Sequence, residues 1–464
     1  MFKKCKDLVK AILPTSVYRL LHEGISRCMG YATFIVKLIL FPFAGLYMWV
    51  LNLKQPTRVT TLISCRIGHL ALNTDLFTRV HKHKKEKIIF IVPYPISNDF
   101  LLERWGDIIE IITYDKQPFL ARFLDTLPLF LHADAFYGHS VFYAKFLDVL
   151  PFKITTRLAF ELPYEGNEYD IYLNTKSSFY FTDSEKQDGD RILEEMGIGK
   201  NDWFVCVFAR DSAYLDKHYG GYDENGDRTN TWLHNDYRDS DIDSLNLAID
   251  EILARGGFVV RLGKVVAKAM SYKHDKVIDY PLSKWRSDFM DIYLQYRAKF
   301  VLSSSTSGAT DVCSLFDTPY CGVNTPAYWN IPYKNAIQIP KIYRHKHNGK
   351  MVGLQEWIKL VETQKADRHY GCDYEDPTQL SIWHSGFYAK NELEIINNTP
   401  EEILELTKEM FERLDGSFTQ SDEDKKRQEK YLAINATYLP VKECKNPYGR
   451  DFLAKNPWFL EEYK

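Results

Sequence analysis

Residues 204–211 read Phe-Val-Cys-Val-Phe-Ala-Arg-Asp, six apolar residues closed by a charged pair. An unbroken apolar hexamer of this kind predicts a strand buried on both faces, as in a parallel sheet covered by helices. The pattern recurs outward in both directions. VTTLISC (59–65), KIIFIVPY (87–94), IIEIITY (108–114), FVVRLG (258–263) and KFVLSS (299–304) are further candidate strands. Helical patterns lie between them. TDSE (182–185) fits a capping box ahead of DGDRILEEM, and Gly197 fits its stop. Leu245, Ala248, Ile249, Ile252 and Leu253 share one helical face, with Asp239, Ser240 and Asp241 before it and Gly256–Gly257 after it. Thr399-Pro400-Glu401-Glu402 supplies a cap, a first-turn proline and two acids suited to a helix start.

Strand–helix alternation in two blocks, 58–200 and 201–415, predicts an α/β protein with two Rossmann-like domains facing each other across a cleft. Residues 1–57 form a separate basic and apolar segment. Residues 416–464 form a polar linker and a tail, FLAKNPWFLEEY (452–463), apolar enough to dock back on the body.

A chain of 464 residues is long enough for two domains with appendages. Hydrophobic residues make up 45% and charged residues 26%, a globular composition. The net charge of −3 argues against a dedicated nucleic-acid binder. The charge is unevenly placed, with nine Lys/Arg against two acids in residues 1–60. A basic end on an acidic body suits an anionic membrane surface. None of the eight cysteines forms a C-x-x-C pair, and several sit in apolar runs. That usage fits reduced, buried cysteine in the cytoplasm.

Residues 38–53, LILFPFAGLYMWVLNL, carry no charge. The run falls short of the roughly 20 residues that span a bilayer, and Pro42 interrupts it. Lys37 and Lys54 bracket it, and Tyr47 and Trp49 suit an interface. Peripheral or monotopic contact at the inner membrane is the preferred reading, ahead of a buried helical hairpin and a true span.

Ligands of open α/β sheets bind beyond the carboxyl ends of the strands, which singles out four places. Arg66-Ile67-Gly68-His69 follows the first strand. Gly68 allows close backbone approach, and His69 is a candidate general base beside the acceptor. Arg210-Asp211 follows 204–209. Arg210 suits a diphosphate, and Asp211 is either its internal partner or a second candidate base. Arg261-Leu262-Gly263-Lys264 offers two cations around a glycine. Ser303 to Gly308 offers hydroxyls and free N–H groups, with Ser305, Thr306, Ser307 and Gly308 as donor-binding candidates. The competing reading of each place is structural: a cap, a core histidine, an internal ion pair or a solvated turn.

HNDYRDSDID (234–243) contains Asp-x-Asp, a pattern used for metal ions elsewhere. Helix capping accounts for Asp239 and Asp241 here, so no metal is expected. His234, Asp236 and Arg238 are placed in the cleft, with Asp236 a third candidate base. The loop 212–233 is a candidate lid, and Tyr328 and Trp329 are candidates to contact the nucleoside.

These residues carry a resemblance. RIGHLALNTDLF (66–77) and FVLSSSTSGATDVCSLFDTPYCGVN (300–324) are similar to segments of ADP-heptose heptosyltransferases. As a set, RIGHLALN, FTDSEKQDGDRILEEMGI, FVCVFARDSAYL, HNDYRDSDIDS, GGFVVRLGK, TPYCGVNTPAYWNIPYK and IINNTPEEI resemble a bacterial family of glycosyltransferases of surface polysaccharide synthesis. The resemblance spans about 59–415. It implies a GT-B fold, a nucleotide-diphosphate sugar held mainly by the second domain, and no obligatory metal or other cofactor. In the heptosyltransferases the residue after the first glycine is an Asp regarded as the base, and His69 stands there in this chain. The expected acceptor is a surface glycan, lipid-linked, at the inner membrane face. A sugar-nucleotide 2-epimerase and a non-catalytic membrane-associated scaffold are the alternatives.

Overall fold

The computed structural model describes residues 35–36, 39–81, 87–124, 168–220, 233–364, 381–438 and 441–463. They fall into two compact units. The first lies within Met1–Thr61, Lys85–Val92 and Glu110–Leu158, the second within Leu62–Lys84, Pro93–Ile109 and Ala159–Lys464.

The first unit is built on three parallel strands, β1 (Thr57–Thr61), β2 (Lys87–Val92) and β3 (Glu110–Thr113), in that order. A helix over residues 39–54 runs into β1. Asn52 joins them, accepting from the Thr57 N–H and donating to the Thr57 carbonyl, each at 3.0 Å. Ala44 and Met48 of this helix share a core with Val59, Ile89, Ile91 and Ile112.

The second unit holds the larger sheet. Its strands are β4 (Phe204–Ala209), β5 (Phe258–Arg261), β6 (Val277–Ile278), β7 (Phe300–Ser304), β8 (Tyr320–Thr325) and β9 (Ala336–Pro340). All are parallel, in the order β6-β5-β4-β7-β8-β9. Counted from β4, this is the 3-2-1-4-5-6 order of a Rossmann sheet, with its switch point between β4 and β7. All six residues of β4 and all five of β7 are buried, as strands covered on both faces require. A two-stranded antiparallel ribbon, β10 (Ile342–His345) with β11 (Leu393–Ile396), completes the sheets.

The helix signals sit where the sequence places them. Thr182 and Glu185 close a capping box on Asp183–Glu195, and Thr399 and Glu402 close one on Pro400–Asp415. Gly197 and Gly256 both take φ of +88°, the left-handed conformation that ends a helix cheaply only in glycine. Residues 416–429 turn at Gly416 into a further helix, Asp422–Asn435. Phe452, Leu453, Phe459 and Leu460 of the tail join the core of the large sheet. Cys206, Cys313, Cys321 and Cys444 are buried and unpaired.

Candidate active site

A cavity of about 450 Å³ opens in the second unit, where the carboxyl ends of β4 and β7 part. Three of the four sequence-marked places reach it whole or nearly so, and the fourth does so in part.

The first place enters through a close backbone approach. A Cβ on Gly308 would lie 2.6 Å from the Gly68 nitrogen, and one on Gly68 would lie 2.6 Å from the Gly308 Cα. Two segments 240 residues apart therefore meet glycine to glycine, and any side chain would part them. The turn at Arg66–Gly68 leads into His69–Asn73, which is wound as a single π-helical turn. Arg66, Gly68 and His69 line the cavity. Burial, reinforced by the Arg66 charge, pushes the His69 imidazole down to about 3. His69 is thus neutral at physiological pH and a weak proton acceptor.

Arg210 emerges from β4 into the cavity wall. Its guanidinium pairs with Asp239 and donates to the Asn235 carbonyl at 3.2 Å. Burial, then the neighbouring Arg238 charge, pushes it down to about 9. Arg238 also lines the cavity and holds the loop after β7, donating to the Thr306 carbonyl and, at 2.8 Å, to its hydroxyl. The same guanidinium stands 5.9 Å from the Trp383 ring centre. Thr306, Ser307 and Gly308 form the cradle between these cations and Gly68. Ser305 supplies its bend instead, buried at φ of 70° with its N–H bonded to Val323 and its carbonyl to the Ser303 hydroxyl.

The third place divides. Gly263, at φ of 146°, and Lys264 line the cavity. Lys264 donates to the Ser97 carbonyl and pairs with Asp288 at 3.2 Å. Arg261 does not line it. Its side chain is buried, donating to the Lys268 carbonyl at 2.8 Å and pairing with Asp279 at 3.2 Å. Being the last residue of β5, Arg261 turns into the body while Lys264 turns out.

The candidate bases separate in the same way. Asp211 lines the cavity, but its two oxygens accept from the Ala213 and Ala267 N–H groups, each at 3.0 Å. Asp236 and His234 lie on the 3₁₀ turn Leu233–Arg238 but do not line the cavity, although Asn235 and Arg238 of that turn do. His234 stacks on His384, with ring centres 4.5 Å apart. The Asp-x-Asp carboxylates are likewise engaged. Asp241 caps the Asp243 N–H, and both acids pair with Lys268 at 2.7 Å. Tyr328 is buried in the core with its hydroxyl on the Val352 carbonyl, whereas Trp329 lines the cavity edge-on to Trp383 at 5.3 Å. Within the proposed lid, Ala213–Tyr219 is a helix, and 221–232 lie outside the described residues.

No family model matches the chain, and no curated protein does. Among solved structures it is similar to a family 9 glycosyl transferase from Veillonella parvula. That match has 11% identity and a TM-score of 0.40, over 75% of this chain and 96% of that one. The ADP-heptose heptosyltransferase II of E. coli follows at 13% and 0.35, over 67% and 98%. A second E. coli heptosyltransferase, with ADP-2-deoxy-2-fluoro heptose, stands at 13% and 0.30, over 66% and 99%. These neighbours are glycosyltransferases. Two of the three are heptosyltransferases, to which the segments 66–77 and 300–324 are similar.

Four residues that matter here were not marked by sequence reasoning. Asp311 lines the cavity three residues beyond Gly308. One carboxylate oxygen accepts from Tyr333 at 2.7 Å, and the other lies 3.2 Å from where a Gly68 Cβ would stand. Burial raises it to about 6, against the Tyr333 hydrogen bond and the Arg238 charge. Glu168, also in the lining, is raised to about 7 by burial. Trp383 forms the aromatic wall. Lys341 stands behind Asp239, donating to its carbonyl at 3.1 Å and to Asn397, and burial beside Arg210 and Arg238 pushes it down to about 7. Position relative to Gly308 was a usable signal for Asp311. The other three are brought in only by tertiary packing.

Proposed function

We propose that this chain is a glycosyltransferase that moves a sugar from a nucleotide-diphosphate donor to a surface glycan. One observation carries the reading. The cavity lies at the switch point of a Rossmann sheet, and there Arg210 and Arg238 flank the Thr306–Gly308 cradle. The Arg238 charge disfavours a protonated Arg210, and a diphosphate set between the two guanidiniums would relieve that repulsion.

In this reading the diphosphate lies in the cradle, and the edge-on Trp329–Trp383 pair offers an aromatic corner to the nucleoside or sugar. The acceptor hydroxyl attacks the anomeric carbon, and its proton passes to a carboxylate. The bond from that carbon to the diphosphate oxygen breaks, and the nucleoside diphosphate leaves with the electron pair. Arg210 and Arg238, with Lys264, stabilise that charge in the role a metal ion takes elsewhere, so no metal or other cofactor is required. Asp311 is our base. It lines the cavity and is oriented by Tyr333, and a carboxyl raised toward neutral pH accepts protons better than an ordinary one. The acceptor is a lipid-linked glycan met at the inner face of the membrane.

The test is turnover with nucleotide-sugar donors against lipid-linked acceptors. Transfer that depends on Arg238 supports the reading. Scrambling of the donor sugar with no acceptor present would favour the epimerase, and absence of any nucleotide binding would favour the scaffold.

A further inference from the structure

We infer that the helix over residues 39–54 is an in-plane anchor that lays an exposed apolar stripe on an anionic bilayer surface. The inference extends the membrane acceptor of the proposed function to a named surface, but its observations are independent of glycosyl transfer.

The helix is two-faced. Ala44, Gly45 and Met48 are buried, and Ala44 and Met48 belong to the core of the three-stranded sheet. Ile39, Phe43, Leu46, Val50 and Leu53 are between 44% and 67% exposed. Their spacing of four, three, four and three residues draws one continuous stripe along a helix. Tyr47 and Trp49 flank the stripe, each 39% exposed.

A second element extends the patch. Phe123 of the helix Pro118–Leu124 packs edge-on to Tyr47 at 6.0 Å, and Phe119 stacks on Phe123 at 6.2 Å. Phe119 is 82% exposed. An apolar surface drawn from two elements is an interaction site, not a scatter of single side chains.

Docking argues against a span, since one face of the helix is committed to the protein core. No described helix is long and apolar enough to cross a membrane. A helix lying in the interface needs only one apolar face.

Charge selects the occupant. The chain is acidic overall, yet residues 1–60 hold nine Lys/Arg against Asp7 and Glu23. Lys54, Lys116 and Arg122 are exposed on the elements that carry the stripe or beside them, with Asp115 and Glu110 as exposed acids nearby. An apolar stripe framed by cations fits anionic lipid headgroups, where apolar burial and Coulomb attraction act together.

The test uses the full chain and vesicles of phosphatidylcholine, with and without phosphatidylglycerol. Co-sedimentation with the anionic vesicles is expected, weakened by salt and reduced at least tenfold in Phe43→Glu/Val50→Glu. Both positions are exposed, so circular dichroism and nucleoside-diphosphate binding should match wild type. Loss of vesicle binding with nucleotide binding intact separates this inference from the donor site. Equal binding by the variant overturns the anchor. So does a wild type that ignores vesicles, including one that instead self-associates through the stripe in light scattering.

Discussion

Replacing Gly308 by alanine puts a methyl carbon 2.6 Å from the Gly68 nitrogen and 2.8 Å from its Cα. Carbon contacts settle near 3.5–4.0 Å, so the two loops must part by about 1 Å. No side chain can swing aside, because the clash is with backbone. Overpacking of this kind costs about 1–3 kcal/mol, and near 2–4 °C per kcal/mol for a domain of ordinary size the midpoint should fall by about 2–12 °C. Parting the loops also moves Thr306 and Ser307, so nucleoside-diphosphate affinity should weaken in the same variant. Gly68→Ala meets the same wall from the other side, with its Cβ 2.6 Å from the Gly308 Cα. Once one methyl has opened the gap the second enters more easily, so the double variant should cost less than the two singles together. Gly106→Ala is the control. Nothing lies within 4 Å of its added carbon, and the change should be neutral or stabilise by up to about 1 kcal/mol. Thermal unfolding with nucleotide titration reads all four variants against the wild type. A Gly308→Ala chain that melts with the wild type and binds as well would refute the glycine-to-glycine packing.

Asp311→Asn should lower turnover by about 10²- to 10⁴-fold while donor affinity holds, and wild-type turnover should rise through about pH 6. Tyr333→Phe removes a donor that favours the charged carboxylate, so the acidic limb of that profile should move up. Because folding raises this carboxyl, its ionisation opposes stability as pH climbs from about 4 to about 6, and a pH series of melts should show that slope reduced in Asp311→Asn. Arg261→Ala breaks a buried pair and should cost about 3–5 kcal/mol in denaturant unfolding, with a far smaller effect on nucleotide affinity than Arg238→Ala. Lys341 is depressed to about 7, so wild type should gain stability between about pH 7 and pH 10 as the unfolded chain loses its proton. Melts of Lys341→Met should lack that gain.

The buried strands were the legible part. FVCVFA is β4 to the residue, and KFVLSS and FVVRLG overrun β7 and β5 by only one and two residues. Such strands carry their own signal, since both faces need apolar side chains. β8, reading YCGVNT, and β9, reading AIQIP, carry polar residues whose hydrogen bonds are internal. Asn324 donates to the Ser304 hydroxyl, and Gln338 to the Trp329 carbonyl. Read without those partners, they look like loop. The site behaves likewise. Places at strand ends could be marked because the sheet's geometry puts ligands there. Which way each side chain turns could not, and that is why Arg261 faces Asp279 while Lys264 faces the cavity. Nor could any local pattern show that burial would push His69 down and Asp311 up.

Nucleotide binding at the β4–β7 switch point is the central claim, and thermal stabilisation by UDP, GDP, ADP and CMP tests it most directly. A nucleoside diphosphate at about 100 times its dissociation constant should add about 2.7 kcal/mol. The account predicts that gain for one nucleoside diphosphate, and its loss in Arg238→Ala. No shift with any nucleotide, or a shift untouched by Arg238→Ala, would contradict it.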